Sequence, residues 1–331
     1  MKVCNEKSDE PISEELLNIL YDIRKERNFN PDEYIDEKAK ILNMYMNKYG
    51  LKACVVPTSG GIDSAVVLGI VKRASMQENS PIKKIIPLLL PVLKSSGASN
   101  QYEATDRGKE LCDRLNIKPF VVDLTAVNNE MRNSLESVLE ITGQDWAIGQ
   151  LCAYSRTPMI YYTTSLLNQS GYGAIVCGTI NNDEGAYLGY VGKASDGMVD
   201  VQVISDIHKS EVYQIVVKLD IPESIIKAIP SGDMYDGRTD EMVFGAPYNF
   251  VELYLYYLKL KDTDKINLLS NISEEAKKQF DFFANNLENL HRYNLHKYLS
   301  GSPAIHLDLY DSSIEGGWEN YYEKTKKILS E

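Results

Sequence analysis

Apolar residues recur at helical spacing over the first fifty positions of the chain. Ser13 stands where it can cap a helix over EELLNILYDIRKERN, and a second helical pattern runs from Pro31 to a stop signal at Gly50. We therefore predict that residues 1–50 form two helices that pack on the domain that follows.

From about residue 51 the pattern changes to short, nearly continuous apolar runs separated by helical stretches. The runs are LKACVVP, KIIPLLL, KPFVVDL and GAIVCG. Such strands separated by helices are typical of an open parallel sheet with helices on both faces. We predict an α/β domain over residues 51–260 and a helical extension over 261–331. Pro87 lies within the second run and would remove a ladder hydrogen bond, so we expect it at an edge or a bulge.

Composition narrows the function classes. The 331 residues include 35 basic and 47 acidic side chains, which gives a net charge of −12. A duplex nucleic-acid binder normally carries a basic excess, so we expect no nucleic-acid partner. The chain has no apolar run near the roughly 20 residues of a membrane span and no signal-peptide pattern, so we expect a cytoplasmic protein with no membrane partner. The cysteines form no C-x-x-C pair, and we expect Cys54, Cys112 and Cys177 to be buried apolar residues.

A glycine-containing string directly after the first predicted strand has the chemistry of an anion cradle. Two adjacent glycines let the backbone approach a phosphate closely, and the unpaired N–H groups of the following helix face the bound anion. A carboxylate at Asp63 would repel a bare phosphate, so it implies an intervening cation, most simply Mg²⁺. A lone Gly-Gly pair would be only a tight turn, whereas the whole string favours phosphate binding. The residues of this string are Ser59, Gly60, Gly61, Ile62, Asp63 and Ser64.

Polar and charged residues also follow the strand GAIVCG, at the strand end where open α/β sheets bind ligands. Glu184 could share the cation with Asp63, and Lys193 and Lys209 could offset the charge of a departing pyrophosphate. Any one of these residues could instead belong to a solvated loop. Three glycine–polar clusters after one strand are not explained by solubility alone. His208 is as compatible with a helix start as with a general base, and we assign it no role.

The string at residues 59–64 resembles the signature of the N-type ATP pyrophosphatases, the PP-loop enzymes, which cleave ATP between its α and β phosphates. Within that superfamily, the order Gly-Thr-x-Asn-x-x-Glu, Gly-Tyr, Lys and Asp-Gly-x-x-Asp over residues 178–200 is similar to NAD synthetase. The likeness extends through Lys209 and Pro230-Ser231, and more weakly to Arg156 and His296-Lys297. It implies an adenine nucleotide alpha hydrolase-like fold.

The resemblance implies an ammonia-dependent ligase. In such an enzyme ATP adenylates the carboxylate of deamido-NAD (nicotinic acid adenine dinucleotide) with release of pyrophosphate, and ammonia then displaces AMP to form NAD. Mg²⁺ as cofactor, ATP as co-substrate and a homodimer are implied with it. Only 58 residues precede Ser59, too few for the glutaminase domain of glutamine-dependent members, so we expect ammonia as the nitrogen source.

The roles implied by the resemblance fall on four groups of residues. The catalytic residues are Asp63, Lys193 and Lys209. The ATP- and pyrophosphate-binding residues are Ser59, Gly60, Gly61, Ile62, Asp63, Ser64, Thr179, Lys193, Lys209 and Ser231. The metal ligands are Asp63 and Glu184. The substrate-binding residues are Arg156, Asn181, Asp196, Asp200, Asp233, His296 and Lys297.

Two alternative functions stay open. Pro158 stands where the family usually has an arginine, and the interval from Glu184 to Gly189 is one residue longer than usual, which favours a PP-loop ligase that amidates a different carboxylic acid. A non-catalytic nucleotide sensor is the other alternative. It is disfavoured because a sensor has little need for both Asp63 and Glu184.

Overall fold

The computed structural model describes residues 11–93, 101–232, 237–299 and 301–330. Its strands are β1 (Ala53–Pro57), β2 (Lys84–Leu89), β3 (Phe120–Val121), β4 (Ala174–Gly178), β5 (Val201–Gln202) and β6 (Ile305–His306). They form one sheet in the order β3-β2-β1-β4-β5-β6, and every neighbouring pair is parallel. The predicted open parallel sheet is confirmed.

Helices flank the sheet and extend the chain at both ends. They are α1 (Glu14–Arg27), α2 (Pro31–Lys48), α3 (Ile62–Met76), α4 (Gln101–Arg114), α5 (Thr125–Leu139), α6 (Asp145–Tyr154), α7 (Arg156–Gln169), α8 (Asn182–Gly185), α9 (Lys209–Lys218), α10 (Glu223–Ile226), α11 (Asp240–Phe244), α12 (Tyr248–Lys259), α13 (Asp262–Ser270), α14 (Glu274–Asn294) and α15 (Tyr321–Ser330). A single 3₁₀ turn, Leu295–Lys297, follows α14. Within the described ranges, no helix combines the length and apolarity that crossing a bilayer requires.

Local capping chemistry sets the ends of several helices. The Ser13 hydroxyl accepts the N–H of Leu16 at the start of α1, as the sequence predicts. Gly50 has φ +65° just after α2, a left-handed conformation that costs glycine little, and it confirms the predicted stop.

Alternate residues of the central strands face two different cores. Cys54 and Cys177 point into one core, which α2, α3 and α9 cover, whereas Val55 and Val176 point into the other, which contains residues of α7. Both cysteines and Cys112 are buried, which confirms the prediction for them. The sheet is therefore covered on both faces.

Two details refine the sequence prediction. Strand β3 begins opposite Leu88, so β2 has no partner on that side at Pro87 and loses no ladder bond there. The C-terminal extension is not only helical, because β6 adds a strand to the edge of the sheet next to β5. Two-residue strands such as β5 and β6 are too short to show an alternating pattern in the sequence.

A buried ion pair anchors this C-terminal segment to the N-terminal helices. The Lys38 ammonium, fully buried in α2, lies 2.9 Å from the Asp206 carboxylate and also donates to the carbonyl of Leu307. The Tyr34 hydroxyl donates to the same carboxylate at 2.7 Å. The segment that carries β6 is thus held in place by charged hydrogen bonds in the interior.

Candidate active site

The loop between β1 and α3 has a shape that requires glycine. Gly60 has φ +78°, and a Cβ built there would lie 2.0 Å from the carbonyl oxygen of Ala104. Gly61 is the N-cap of α3 and provides no side-chain cap to the first turn. The first N–H groups of α3 therefore stay available for an anion, as the sequence predicts.

Two serine hydroxyls lie across this loop. The Oγ atoms of Ser59 and Ser64 are 3.2 Å apart, and Ser59 Oγ accepts the N–H of Gly61 at 3.2 Å. Arg107 Nε donates to the carbonyl of Gly60 at 3.0 Å and fixes the turn from the other side. The hydroxyls can thus add donors to the ring of backbone N–H groups.

The predicted cation-binding carboxylates meet next to this loop. The Lys209 ammonium lies 2.6 Å from Asp63 Oδ2 and 3.0 Å from Glu184 Oε1. Lys209 is only 1% exposed. The structure therefore brings together three residues that are 121 and 25 positions apart in the sequence (Asp63 to Glu184, Glu184 to Lys209).

Asn181, just after β4, hydrogen-bonds to the Asp63 carboxylate and to the backbone of Glu184. Its Nδ2 donates to Asp63 Oδ1 at 2.9 Å, and its Oδ1 accepts the N–H of Glu184 at 3.1 Å as the N-cap of α8. Sequence reasoning assigned Asn181 to the substrate, whereas its side chain here orients Asp63 and Glu184. Thr179, two residues earlier, lies half-buried at the same strand end.

Asp240 and Tyr248 complete the cluster, and sequence reasoning gave neither of them a role. The Tyr248 hydroxyl lies 3.1 Å from Glu184 Oε1 and 2.8 Å from Asp240 Oδ2. Tyr190 donates to the other oxygen of Asp240 at 3.1 Å. Asp240 does lie in an acidic stretch after Ser231, which is a weak signal, but Tyr248 is one of many tyrosines near it and has no distinguishing pattern.

Negative charge exceeds positive charge in this cluster. Burial, together with the charges of Asp63 and Asp240, raises the pKa of Glu184 to about 8 against the pull of Lys209. Burial also raises the pKa of Asp240. Burial disfavours the charged form of Lys209, but the attraction of the carboxylates is larger and raises its pKa well above the usual range. The cluster thus has the electrostatics of a site that accepts a further cation.

The donor set fits Mg²⁺ bound together with phosphates. Among the described residues no group of three or more His, Cys, Asp or Glu side chains could enclose a metal. Mg²⁺ is usually held by one or two carboxylates plus substrate phosphate oxygens, and Asp63 and Glu184 supply two carboxylates beside the phosphate loop.

Asp183, the other carboxylate residue of α8, connects α8 to α9. Asp183, which is fully buried, accepts the N–H of Lys209 at 2.7 Å and lies 2.6 Å from Nδ1 of His208. Burial works against the charged imidazole, but Asp183 outweighs it and raises the pKa of His208. His208 is also the N-cap of α9 in a capping box with Glu211, so it has the helix-start role that the sequence left open.

A separate group of predicted residues surrounds a cavity next to this cluster. Lys193 Nζ donates to the carbonyl of His296 at 3.0 Å, and Lys297 Nζ donates to the carbonyls of Gly189 and Val191 at 2.7 and 2.6 Å. Both lysines line a cavity of about 300 Å³. Lys193 thus lies with the C-terminal His-Lys pair, and only Lys209 contacts the carboxylate cluster.

Two predicted substrate residues are engaged with the backbone. Arg156 Nε donates to the carbonyl of Leu90 at 3.1 Å, at the start of α7. The Asp200 carboxylate accepts the N–H of Val176 at 2.7 Å, inside the sheet.

The other predicted residues lie on loops. Ser231 is exposed and follows Pro230, whose carbonyl accepts the N–H of Asp240 at 3.0 Å. Asp196 lies in the loop before β5, where its carbonyl accepts Nε2 of Gln202 at 3.1 Å. Asp233 lies outside the described residues.

Comparison with known proteins gives a consistent result at family level. The family model described as NAD synthase matches residues 34–298. An NH(3)-dependent NAD(+) synthetase of Thermoplasma volcanium is 31% identical over 201 residues, which are 61% of this chain and 74% of that protein. Another of that name, from Syntrophomonas wolfei, is 30% identical over 230 residues, 68% of this chain and 84% of its own.

Solved structures share the fold. An NMN synthetase from Francisella tularensis superimposes with a TM-score of 0.60 at 26% identity, over 80% of this chain and 96% of that one. An NH3-dependent NAD synthetase from Campylobacter jejuni gives a TM-score of 0.58 at 21% identity, over 81% and 96%.

Proposed function

This chain belongs to the NAD synthase family, and we propose that it is the ATP-dependent ligase that converts deamido-NAD to NAD with release of AMP and pyrophosphate. The observation that carries the proposal is the contact of Asp63, Glu184 and Lys209 beside an uncapped helix N-terminus. Together these groups can bind a triphosphate and offset the negative charge that develops when it is cleaved.

The first step activates the acceptor. A free carboxylate is a poor electrophile, so an oxygen of the nicotinate carboxylate attacks the α-phosphorus of ATP, and the bond to the β-phosphate oxygen breaks. The departing pyrophosphate carries away the electron pair of that bond. The backbone N–H groups at residues 60–64 and the hydroxyls of Ser59 and Ser64 would bind it, and Lys209 would offset its developing charge.

Mg²⁺ is part of the proposal, with Asp63 and Glu184 as its protein ligands. When bound, Mg²⁺ supplies charge neutralisation on the phosphate oxygens. Asn181 would keep Asp63 turned toward this position, because its amide occupies the other carboxylate oxygen. Mg²⁺ bound here would favour the ionised form of Glu184, whose pKa burial and the neighbouring carboxylates raise to about 8.

The second step forms the amide. Ammonia attacks the carbonyl carbon of the acyl-adenylate, the C–O bond to AMP breaks, and the nitrogen loses a proton as the amide forms. No protein nucleophile is needed. Ammonia as the direct nitrogen source follows the relatives from Thermoplasma volcanium and Syntrophomonas wolfei, which are named NH(3)-dependent.

A second acceptor is a specific candidate. The likeness to an NMN synthetase, at 26% identity, favours amidation of nicotinic acid mononucleotide by the same chemistry. Arg156, Lys193, His296 and Lys297 would contact either acceptor, because both carry a nicotinate ring, a ribose and at least one phosphate.

A homodimer is also part of the proposal. Helices α5 and α6 and the loop between them expose several large apolar side chains. Four of these side chains are more than 60% exposed in the single chain, namely Leu135, Val138, Ile141 and Trp146. Exposed apolar residues at this density are typical of a surface that a second copy covers.

The experiment incubates the protein with ATP, Mg²⁺, ammonium and either deamido-NAD or nicotinic acid mononucleotide, and measures pyrophosphate, AMP and the amide. We expect all three products in equal amounts with at least one of the two acceptors. ATP binding without pyrophosphate release under any acceptor would instead identify a nucleotide sensor. Robust turnover with glutamine in place of ammonium would contradict the nitrogen source.

A further inference from the structure

The cavity beside the carboxylate cluster has walls from two parts of the chain. Residues 180–202 form one wall, and Lys297, Tyr298 and residues 301–321 form the other. Its volume, about 300 Å³, is within the range of small-molecule sites. Its lining includes the side chains of Lys193, Lys297, His306, Trp318 and Tyr321.

The cavity and the carboxylate cluster share a wall. Ile180 lines the cavity, and its neighbour Asn181 donates to Asp63. Gly189 and Val191 line the cavity as well, while Tyr190 between them donates to Asp240 in the cluster. A molecule in the cavity would therefore lie one backbone thickness from the groups assigned to ATP.

The second wall comes mostly from a segment outside the family match. That match ends at residue 298, and the segment 301–321 follows it. The segment docks directly on α8, where Trp318 N donates to the carbonyl of Ala186 at 2.9 Å. The Trp318 ring lies so close to Gly185 that a Cβ there would be 2.3 Å from it. The segment thus reaches the residue next to Glu184.

This wall is aromatic, and Lys193 lines the opposite wall of the cavity. The His306 ring stacks on Tyr321 with centroids 3.9 Å apart, and the Trp318 ring meets His306 edge-on at 4.6 Å. Burial, with the nearby charges of Lys38 and Lys324, lowers the pKa of His306 to about 3, so this imidazole is neutral. Its Nδ1 is buried and has no hydrogen-bond partner in the described part of the chain. A buried ring nitrogen without a partner needs an explanation, and a polar group of a bound molecule would provide one.

We propose that the segment 301–321 is the acceptor-selecting wall of this enzyme, and that the cavity takes a planar aromatic ring carrying a carboxylate. The flat rings of this wall match the ring of such a molecule, and the ammonium groups of Lys193 and Lys297, which also line the cavity, match its carboxylate. The proposal rests on the proposed function, because it takes the ring to be the nicotinate end of the amidated acceptor. It adds residues beyond the family match to those that determine which acceptor reacts.

The experiment compares two neighbouring tyrosines on α15. Tyr321 lines the cavity, whereas Tyr322 does not, so Tyr321→Leu and Tyr322→Leu are the same chemical change at adjacent positions. We expect Tyr321→Leu to raise the acceptor KM by about tenfold or more, as the loss of an aromatic contact in a binding pocket does. The Kd of ATP, measured without acceptor, should stay within twofold of wild type. Tyr322→Leu should leave both constants unchanged.

Trp318→Leu and the full acceptor panel provide the second measurement. The ratio of kcat/KM for deamido-NAD to that for nicotinic acid mononucleotide should change in Tyr321→Leu and Trp318→Leu, and stay constant in Tyr322→Leu. Urea unfolding of each variant verifies that the assays use folded protein. Folded Tyr321→Leu and Trp318→Leu with the wild-type acceptor KM and the wild-type ratio would overturn the proposal.

Failure of the proposed function has a different signature. In that case the wild-type protein would amidate neither nicotinate nucleotide but would release pyrophosphate with another aromatic acid. The same comparison is then run with that acid. A higher KM in Tyr321→Leu alone would still support the acceptor-selecting wall, and equal KM values in wild type and both tyrosine variants would overturn it.

Discussion

Asp183→Asn is the most informative single substitution, because it acts on the active site through a residue that is itself assigned no contact with ATP. Asp183 joins α8 to α9 through its two oxygens, one on the Lys209 N–H and one on His208 Nδ1. Glu184 follows Asp183 in the sequence, and Lys209 is the residue whose N–H the Asp183 carboxylate accepts. The relative position of these two cluster residues therefore depends on a fully buried carboxylate.

The size of the expected loss of stability follows from the hydrogen bonds that an asparagine amide can still make in place of the carboxylate. Hydrogen bonds to a charged group contribute about 1.5–3 kcal/mol each, and Asn keeps one neutral acceptor while turning an NH₂ toward the other donor. We expect the free energy of unfolding to fall by about 2–3 kcal/mol at acidic pH. We also expect kcat to fall by about tenfold or more, because Lys209 loses the fixed position of its backbone.

The sign of the pH dependence is specific. Burial alone would lower the pKa of His208, but Asp183 raises it above its ordinary value of 6.5. A raised folded-state pKa means that the pair contributes its full stability below pH 6.5 and loses it as pH rises through the folded-state value. The difference between wild type and Asp183→Asn should therefore be largest below pH 6.5 and shrink at higher pH.

The assay is urea unfolding at pH 5.5 and at pH 8.5, with kcat measured beside it. The matched control is Asp106→Asn, which removes an exposed carboxylate paired with Lys109 and should change stability by less than about 1 kcal/mol. Asp183→Asn that unfolds like Asp106→Asn at both pH values, or that loses more stability at pH 8.5 than at pH 5.5, would refute the reasoning.

Three other substitutions test separate parts of the site and the assembly. Gly60→Ala places a Cβ 2.0 Å from the Ala104 carbonyl at φ +78°, so we expect about 1–3 kcal/mol less stability and weaker binding of a fluorescent ATP analogue; wild-type binding would contradict the cradle. Asp63→Asn should need at least about tenfold more Mg²⁺ for half-maximal turnover, measured by pyrophosphate release, and an unchanged Mg²⁺ requirement would remove Asp63 as a ligand. If the protein forms the proposed homodimer, Val138→Asp, at a residue 78% exposed, should sediment as a monomer, whereas a variant that still sediments as a dimer would place the interface elsewhere.

The features that the sequence predicted well depend on residues that are adjacent in the chain or that follow predicted strands. The loop at residues 59–64 could be predicted because its function depends on backbone N–H groups of a single turn, which need glycine at fixed positions. The proximity of Asp63 and Glu184, which both contact Lys209, was also predictable, because β1 and β4 end at the same edge of a parallel sheet.

The rest depends on tertiary packing that leaves no local pattern. Tyr248 reaches Glu184 from α12, in a region where tyrosines are frequent and most pack in the core. Lys193 lies in a loop without periodicity, so its sequence position could not show that it joins His296 rather than Lys209. Strand β6 is two residues long, and only its pairing with β5 identifies it.

The carboxylate cluster also has a consequence for how activity returns during refolding. Its members come from positions 63, 184, 209, 240 and 248, so every contact among the first three closes a loop of 25 residues or more. Contacts this distant in sequence form slowly, because the entropy of loop closure must be overcome first. Turnover should therefore return only with the slowest phase of folding, and a nascent chain shorter than about 250 residues should contain the phosphate loop but have no activity.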